Sequence, residues 1–262
     1  MELGLRDKTF MVAAASKGLG YGIARTLAEE GAGVSIGSRN KENISSAADT
    51  IGRETGSEAR GYHLDMKDGD TIACWVEDTL RDFGGIDGLV VNAGGPPPGK
   101  FEDFTENQWS EAFELTLLSA VRLIRHALPA LKESRGSILT ITSISVREPV
   151  DNLILSNVMR SGVVGLVKSI SKEFAPYGIR VNNIIPGFFD TDRLKNLDKG
   201  QSERTGVPLE EVKNKRKSTV PLGRYGDPAE FGKAAAFLLS GAAGYTTGHS
   251  FVLDGGFMKS VM

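Results

Sequence analysis

The sequence predicts an α/β chain in which a parallel sheet is covered by helices on both faces. Three observations carry that prediction. Short apolar runs alternate with longer amphipathic ones along the whole chain. The short runs are continuously apolar, as strands buried on both faces are. Each is bounded by Gly, Asp, Asn or Pro, residues that end strands.

In chain order the candidate strands are Thr9–Ala14, Gly33–Gly37, Ala59–His63, Gly88–Val91, Ser137–Thr142, Val181–Ile185 and Ser250–Leu253. Helical segments lie between them. The clearest has apolar residues at Val163, Leu166, Val167, Ile170 and Phe174, three or four apart, which places them on one helix face. A second runs through Phe113, Leu117, Val121, Ile124, Leu128 and Leu131. One stretch departs from the pattern. Residues 193–217 hold eight basic and four acidic residues and few apolar ones, so they read as a surface excursion before a helix beginning near Asp227. There is no internal repeat, low-complexity segment or linker.

Composition narrows the function. The chain has 262 residues, and 31 Lys and Arg against 33 Asp and Glu give a net charge of −2. The basic excess of a nucleic-acid-binding surface is missing, so no nucleic-acid partner is expected. Hydrophobic residues make up 40%, too many for a disordered chain. The single cysteine, Cys74, excludes an intrachain disulfide scaffold and fits a reducing compartment. The first residues lack the apolar core of a signal peptide, and no run approaches the ~18 apolar residues of a membrane helix. A cytoplasmic protein with no membrane association is the expectation. No cluster suggests a metal.

After the first candidate strand comes Ala13-Ala14-Ala15-Ser16-Lys17-Gly18-Leu19-Gly20. Glycines between a first strand and a helix let the backbone turn tightly beside a phosphate, and the helix start offers free N–H groups. This segment resembles the cofactor loop of the short-chain dehydrogenase/reductase family, Thr-Gly-x-x-x-Gly-x-Gly, with Ala13 and Ala14 standing for the Thr and first Gly. Four further pieces match the family in order: Asp65; Asn92-Ala93-Gly94; Pro186-Gly187 with Thr191 four residues on; and Asp254-Gly255-Gly256. Together they span nearly the entire chain. The resemblance implies a single Rossmann-type domain over 1–262, with a doubly wound, parallel, seven-stranded sheet. It also implies that Ser16, Lys17, Gly18, Leu19 and Gly20 hold the coenzyme phosphates. Asp65 and Met66 would contact the adenine, and Asn92, Ala93 and Gly94 would pass under the adenosine ribose and diphosphate. Pro186, Gly187, Phe189 and Thr191 would hold the nicotinamide carboxamide.

An NAD site ordinarily ends its second strand with an Asp or Glu that binds the ribose 2′-OH. This chain has Ser38-Arg39-Asn40 there. Arg39 suits a 2′-phosphate through a bidentate contact, and Lys17 approaches from the other side. NADP(H) is therefore expected over NAD(H).

The family's chemistry uses a Ser, a Tyr, a Lys one helical turn later, and an Asn. Ser143 fits the Ser position. The Tyr position is Ser156, the Lys position is Arg160 and the Asn position is Thr116, so three of the four residue types are replaced. Ser156 and Arg160 share a helix face. Arg160 can hold the ribose hydroxyls of the nicotinamide, but a guanidinium stays charged and cannot relay protons. A serine hydroxyl is a far weaker acid than a phenol of pKa ~10. The loop between Ser143 and Ser156 offers Arg147, Glu148, Asp151 and Asn152. Arg147, Glu148 and Asn152 are candidates for substrate contact, and Glu148 or Asp151 for a replacement acid.

The chain is most similar to reductases of 3-oxoacyl thioesters on acyl carrier protein, and within them to a divergent branch lacking the Tyr and Lys, typified by the bacilysin-pathway reductase. That resemblance implies an NADP(H)-dependent oxidoreductase acting on a small carbonyl or a conjugated enone. An NADP(H)-binding sensor or assembly subunit without turnover is the alternative that the broken tetrad leaves open. An acyl carrier protein is a further candidate partner, compatible with the basic excess of residues 193–217. By the same resemblance those residues form a mobile substrate lid, and the helices around Phe113–Leu131 and Ser161–Ala175 build a homodimer or homotetramer.

Overall fold

The structure, a computed structural model, describes residues 2–260. Met1, Val261 and Met262, the ends of the domain expected over 1–262, lie outside the described residues. Seven strands form one sheet: β1 (Thr9–Ala13), β2 (Gly33–Ser38), β3 (Ala59–His63), β4 (Gly88–Val91), β5 (Ser137–Ile141), β6 (Arg180–Pro186) and β7 (Ser250–Leu253). Their order is β3-β2-β1-β4-β5-β6-β7, and every pairing is parallel. The chain winds outward from β1 to β3, returns, and continues from β4 on the other side. The reversal lies between β1 and β4, which opens a crevice at their carboxyl ends, where ligands of such sheets bind.

The helices are α1 (Gly18–Glu29), α2 (Lys41–Thr55), α3 (Gly69–Phe83), α4 (Glu106–Phe113), α5 (Ser119–Ser134), α6 (Ile154–Phe174), α7 (Asp192–Thr205), α8 (Leu209–Ser218) and α9 (Pro228–Leu239). They fall on two faces because strand residues alternate. Val12, Ile36 and Ile184 point to one core with Ile23, Leu27 and Ile51 of α1 and α2 and Phe231 of α9. Met11, Leu89 and Val181 point to the other, with Trp75 of α3, Leu123 of α5 and Val167 of α6. Fully burying each such side chain contributes ~1.5–3 kcal/mol. Asp227 caps α9, with Pro228 next and Glu230 closing the capping box. Helices α1 and α9 meet backbone to backbone. A Cβ at Gly22 would lie 2.4 Å from the Pro228 carbonyl oxygen, and one at Gly232 would lie 2.4 Å from that of Gly22.

Strands β3, β4 and β7 keep the bounds that the sequence predicts. β1 stops one residue early because Ala14 takes a left-handed φ of 51°. The surface excursion of residues 193–217 is folded into most of α7 and α8. Their clasp is ionic rather than apolar: Asp198, buried, accepts from Arg216 Nε at 2.6 Å and from the Tyr225 hydroxyl at 3.0 Å. The stripe through Phe113 and Val121 needs correction. Both are exposed, while Ala120, Leu123, Ala127 and Leu131 face the core. A π-helical turn at Glu114–Leu118 joins α4 to α5 and shifts the face by roughly one residue. No helix among the described residues is long and apolar enough to cross a membrane.

Candidate active site

The floor of the crevice is the loop from Ala14 to Gly20. Lys17 is extended at the N-cap of α1 and its side chain caps nothing. The first N–H groups of α1, on Gly18, Leu19 and Gly20, are therefore not satisfied by a cap and lie at the positive end of the helix dipole. A Cβ at Gly20 would fall 2.5 Å from the Ala14 carbonyl oxygen, so that turn is closed to any side chain. A cavity of about 330 Å³, lined by Ser16, Lys17, Tyr21, Asn43, Ser46 and Thr50, opens between this loop and α2.

The end of β2 fits a phosphate rather than a bare ribose. Ser38 is buried, and its hydroxyl has no partner among the described residues. Arg39 is exposed beside it and stands in no ion pair among the described residues. Asn40 is occupied as the cap of α2. Lys17 stands differently from the expectation. Its Nζ bonds Asp192 of α7 at 2.7 Å, an exposed pair that ties the glycine loop to α7. Lys17 holds the Asp192 carboxyl below its ordinary pKa, chiefly through that hydrogen bond.

Asp65 shapes its own turn by accepting from the Lys67 N–H at 3.0 Å, and Met66 is buried behind it. Asn92, Ala93 and Gly94 follow β4 into the crevice, and nothing lies within contact of a Cβ built on Gly94. Pro186 ends β6 and Gly187 donates to the Leu253 carbonyl at 2.8 Å. Phe189 is buried edge-on against Phe231, 5.1 Å between centroids, so its ring belongs to the core and only its backbone faces the crevice. Thr191 caps α7, accepting from Leu194 N–H at 3.4 Å.

Of the four positions expected to be catalytic, Ser143 follows β5 after Thr142 and Arg160 is bonded to the end of that strand. The Ser143 oxygen accepts from the Ser145 N–H at 3.2 Å, which leaves the Ser143 proton to donate outward. Ser156 is buried in the first turn of α6. One turn on, Arg160 Nη1 donates to the Ile141 carbonyl at 3.1 Å and the Thr142 carbonyl at 3.2 Å, directly before Ser143. Thr116 sits in the π turn, buried, with an unpartnered hydroxyl. Burial pushes the Arg160 guanidinium down to about 10, and the charge of Arg193 adds to the effect.

The loop after Ser143 is used for fastening. Glu148 Oε1 accepts the backbone N–H groups of Lys259 at 3.0 Å and Ser260 at 2.8 Å. Asn152 takes a φ of 60°, and its carbonyl accepts from Gly99 at 2.8 Å. Arg147 and Asp151 are exposed. Asn157 bonds both backbone groups of Val150 and pins the loop to α6, a role with no motif to announce it. Arg193 was also not legible. It lies in the charged stretch, yet a Cβ at Gly95 would fall 2.6 Å from its Nη2, so its guanidinium lies over the strand end of β4.

A sheet with this crossover and an uncapped helix start at its switch point defines a dinucleotide-dependent enzyme class. The profile of the enoyl-(acyl carrier protein) reductase family matches residues 13–258. A 3-oxoacyl-acyl-carrier-protein reductase FabG of Chlamydia trachomatis serovar D is 34% identical over 253 residues, 96% of this chain and 98% of that protein. L-sorbose reductase from Gluconobacter frateurii, solved with NADPH and L-sorbose, superposes with a TM-score of 0.95 at 27% identity over 100% of both chains. YwfH, an NADPH-dependent reductase involved in bacilysin biosynthesis, gives 0.92 at 29% identity, covering 97% of this chain and 99% of its own. The chain belongs to the short-chain dehydrogenase/reductase family and is an oxidoreductase of that type.

Proposed function

We propose that the protein is an NADP(H)-dependent reductase of a small carbonyl or conjugated enone in which hydrogen-bond donors replace the usual proton donor. The observation that carries this reading is Arg160, anchored beside a Ser143 whose proton is free. The coenzyme is NADP(H): Ser38 and Arg39 offer donors and a positive charge where an NAD site needs a carboxylate. Bound there, it supplies a hydride to the acceptor carbon. Ser143 and Arg160 then donate to the acceptor oxygen as negative charge develops on it. Arg160, pushed down only to about 10, stays charged at neutral pH and serves as a hydrogen-bond donor, with solvent supplying the proton. An enone suits these donors because its enolate spreads that charge and is a weaker base than an alkoxide. Thr116, on the π turn that α6 packs against, and Ser156, one turn before Arg160, are further buried hydroxyls.

Four of the eight cations of residues 193–217 are paired locally, Lys195 to Asp190, Lys199 to Glu203, Lys213 to Glu210 and Arg216 to Asp198. That pairing weakens the case for an acidic carrier protein, so we favour a free small molecule. Phe113, Val121 and Val158 leave an exposed apolar strip on α4, α5 and α6, which supports a homo-oligomer.

The test is oxidation of NADPH by a panel of ketones, enones and 3-oxoacyl thioesters. Turnover of an enone with NADPH in preference to NADH is expected. Binding of NADPH with no oxidation across the panel would return the protein to the sensor reading.

A further inference from the structure

We propose that Arg160 and Arg193 form an anion trap at the reducing end of the crevice and that the substrate carries a carboxylate close to its reacting carbon. This rests on the reading of the crevice as an NADP(H) site and names what is bound beside the coenzyme.

The argument begins with charge. Arg160 spends one nitrogen on two backbone carbonyls, and a guanidinium has five N–H donors, so several remain. Arg193 lies on Gly95. Neither has a carboxylate partner among the ion pairs of the described residues, because Asp190 and Asp192, just before Arg193, are taken by Lys195 and Lys17. Two unpaired cations thus share the crevice, Arg160 half-buried and Arg193 exposed. Each lowers its own pKa by burial, and the charge of Arg193 is felt at Arg160. Like charges held close together are unfavourable unless an anion sits between them.

The same place holds spare donors. The hydroxyls of Thr142, Ser145 and Thr116 are buried and unpartnered among the described residues. Thr142 and Ser145 flank Ser143, and α6, which carries Arg160, packs on the turn that carries Thr116.

Position decides which anion this is. The coenzyme's diphosphate belongs to the uncapped start of α1 after β1. Arg160 is fixed at the end of β5, which is separated from β1 by β4. Neighbouring strands are about 4.8 Å apart, so Arg160 lies about 10 Å from the phosphate cradle. It lies instead beside Ser143, within reach of a group one or two bonds from the reacting carbon. A 2-oxo acid, a 3-oxo acid or an enone acid places a carboxylate there, and a guanidinium fork matches it bidentately.

The experiment uses the purified protein and the fluorescence of bound NADPH. NADPH is titrated first, because failure at that step removes the coenzyme reading itself. The NADPH complex is then titrated with oxamate, a carboxylate that cannot be reduced, and with 2-oxobutyrate against its methyl ester. We expect both carboxylates to bind and the ester to bind at least about tenfold more weakly. Arg193→Gln should weaken oxamate about tenfold and change NADPH affinity less than about threefold, while Arg193→Lys recovers part of the loss. The proposal is overturned if neither carboxylate binds the NADPH complex, or if ester and acid bind alike. It is also overturned if Arg193→Gln weakens NADPH itself and leaves oxamate untouched, since the cations would then serve the coenzyme's phosphates.

Discussion

Replacing Arg39 by alanine should cost affinity for NADPH and leave NADH nearly unchanged. Arg39 is exposed and unpaired at the end of β2, so a 2′-phosphate meets it without first displacing a carboxylate. A hydrogen bond to a charged group is worth ~1.5–3 kcal/mol, which is about 10–150-fold in affinity. Solvent screening at an exposed site places the effect near the lower end, about tenfold, and shrinks it as salt rises. Lys17 must first leave Asp192. Both side chains are exposed, 71% and 56%, so solvent screens the pair and it holds Lys17 only weakly. Asp192→Asn should therefore free Lys17 and tighten NADPH by up to about fivefold, again without effect on NADH. Paired fluorescence titrations of NADPH and NADH at low and high ionic strength read both changes. Equal losses for the two coenzymes in Arg39→Ala, or no loss for either, would refute the placement of the 2′-phosphate.

Ser156→Tyr combined with Arg160→Lys should introduce ordinary ketone reduction; if the wild type already reduces simple ketones as fast, its centre does not depend on the donors described above. Ala14→Gly should raise the midpoint of urea unfolding slightly, because relief of ~1–2 kcal/mol of left-handed strain exceeds the ~0.4–1 kcal/mol of added chain entropy. Asp198→Ala should cost ~3–5 kcal/mol by leaving Arg216 without its buried partner, and hydrogen exchange should show that opening confined to residues 192–218. Glu230 is held down to about 2, first by its hydrogen bonds to Arg224 and next by the Asp227 N–H. A carboxyl depressed in the folded state stabilises above its unfolded pKa of ~4.3 and loses that contribution as pH falls toward about 2. The difference in denaturation midpoint between wild type and Glu230→Gln should shrink through that window.

The sheet was legible because its strands are apolar runs with polar ends, and β3, β4 and β7 match their predicted bounds. Periodicity misjudged Phe113 and Val121 because it assumes one unbroken helix, whereas the π turn at Glu114–Leu118 offsets the two halves. Composition hid α7 and α8, whose packing depends on the charged pair Asp198–Arg216 in place of an apolar stripe. At the site, the positions of Ser143, Ser156, Arg160 and Thr116 followed from motif spacing. Partners across the fold had no such signal: nothing local links Lys17 to Asp192, Glu148 to Lys259, or Arg193 to Gly95.

The main-chain contact at Gly22 and Gly232 has a consequence at a distance. Helix α9 donates no atom to the phosphate cradle, yet it sets the tilt of the helix whose first amides must point there. A single methyl at position 232 would lever α1 off its seat and misaim those amides. The resulting lesion would look in an assay like a damaged nucleotide pocket, although its cause would sit on the opposite flank of that helix.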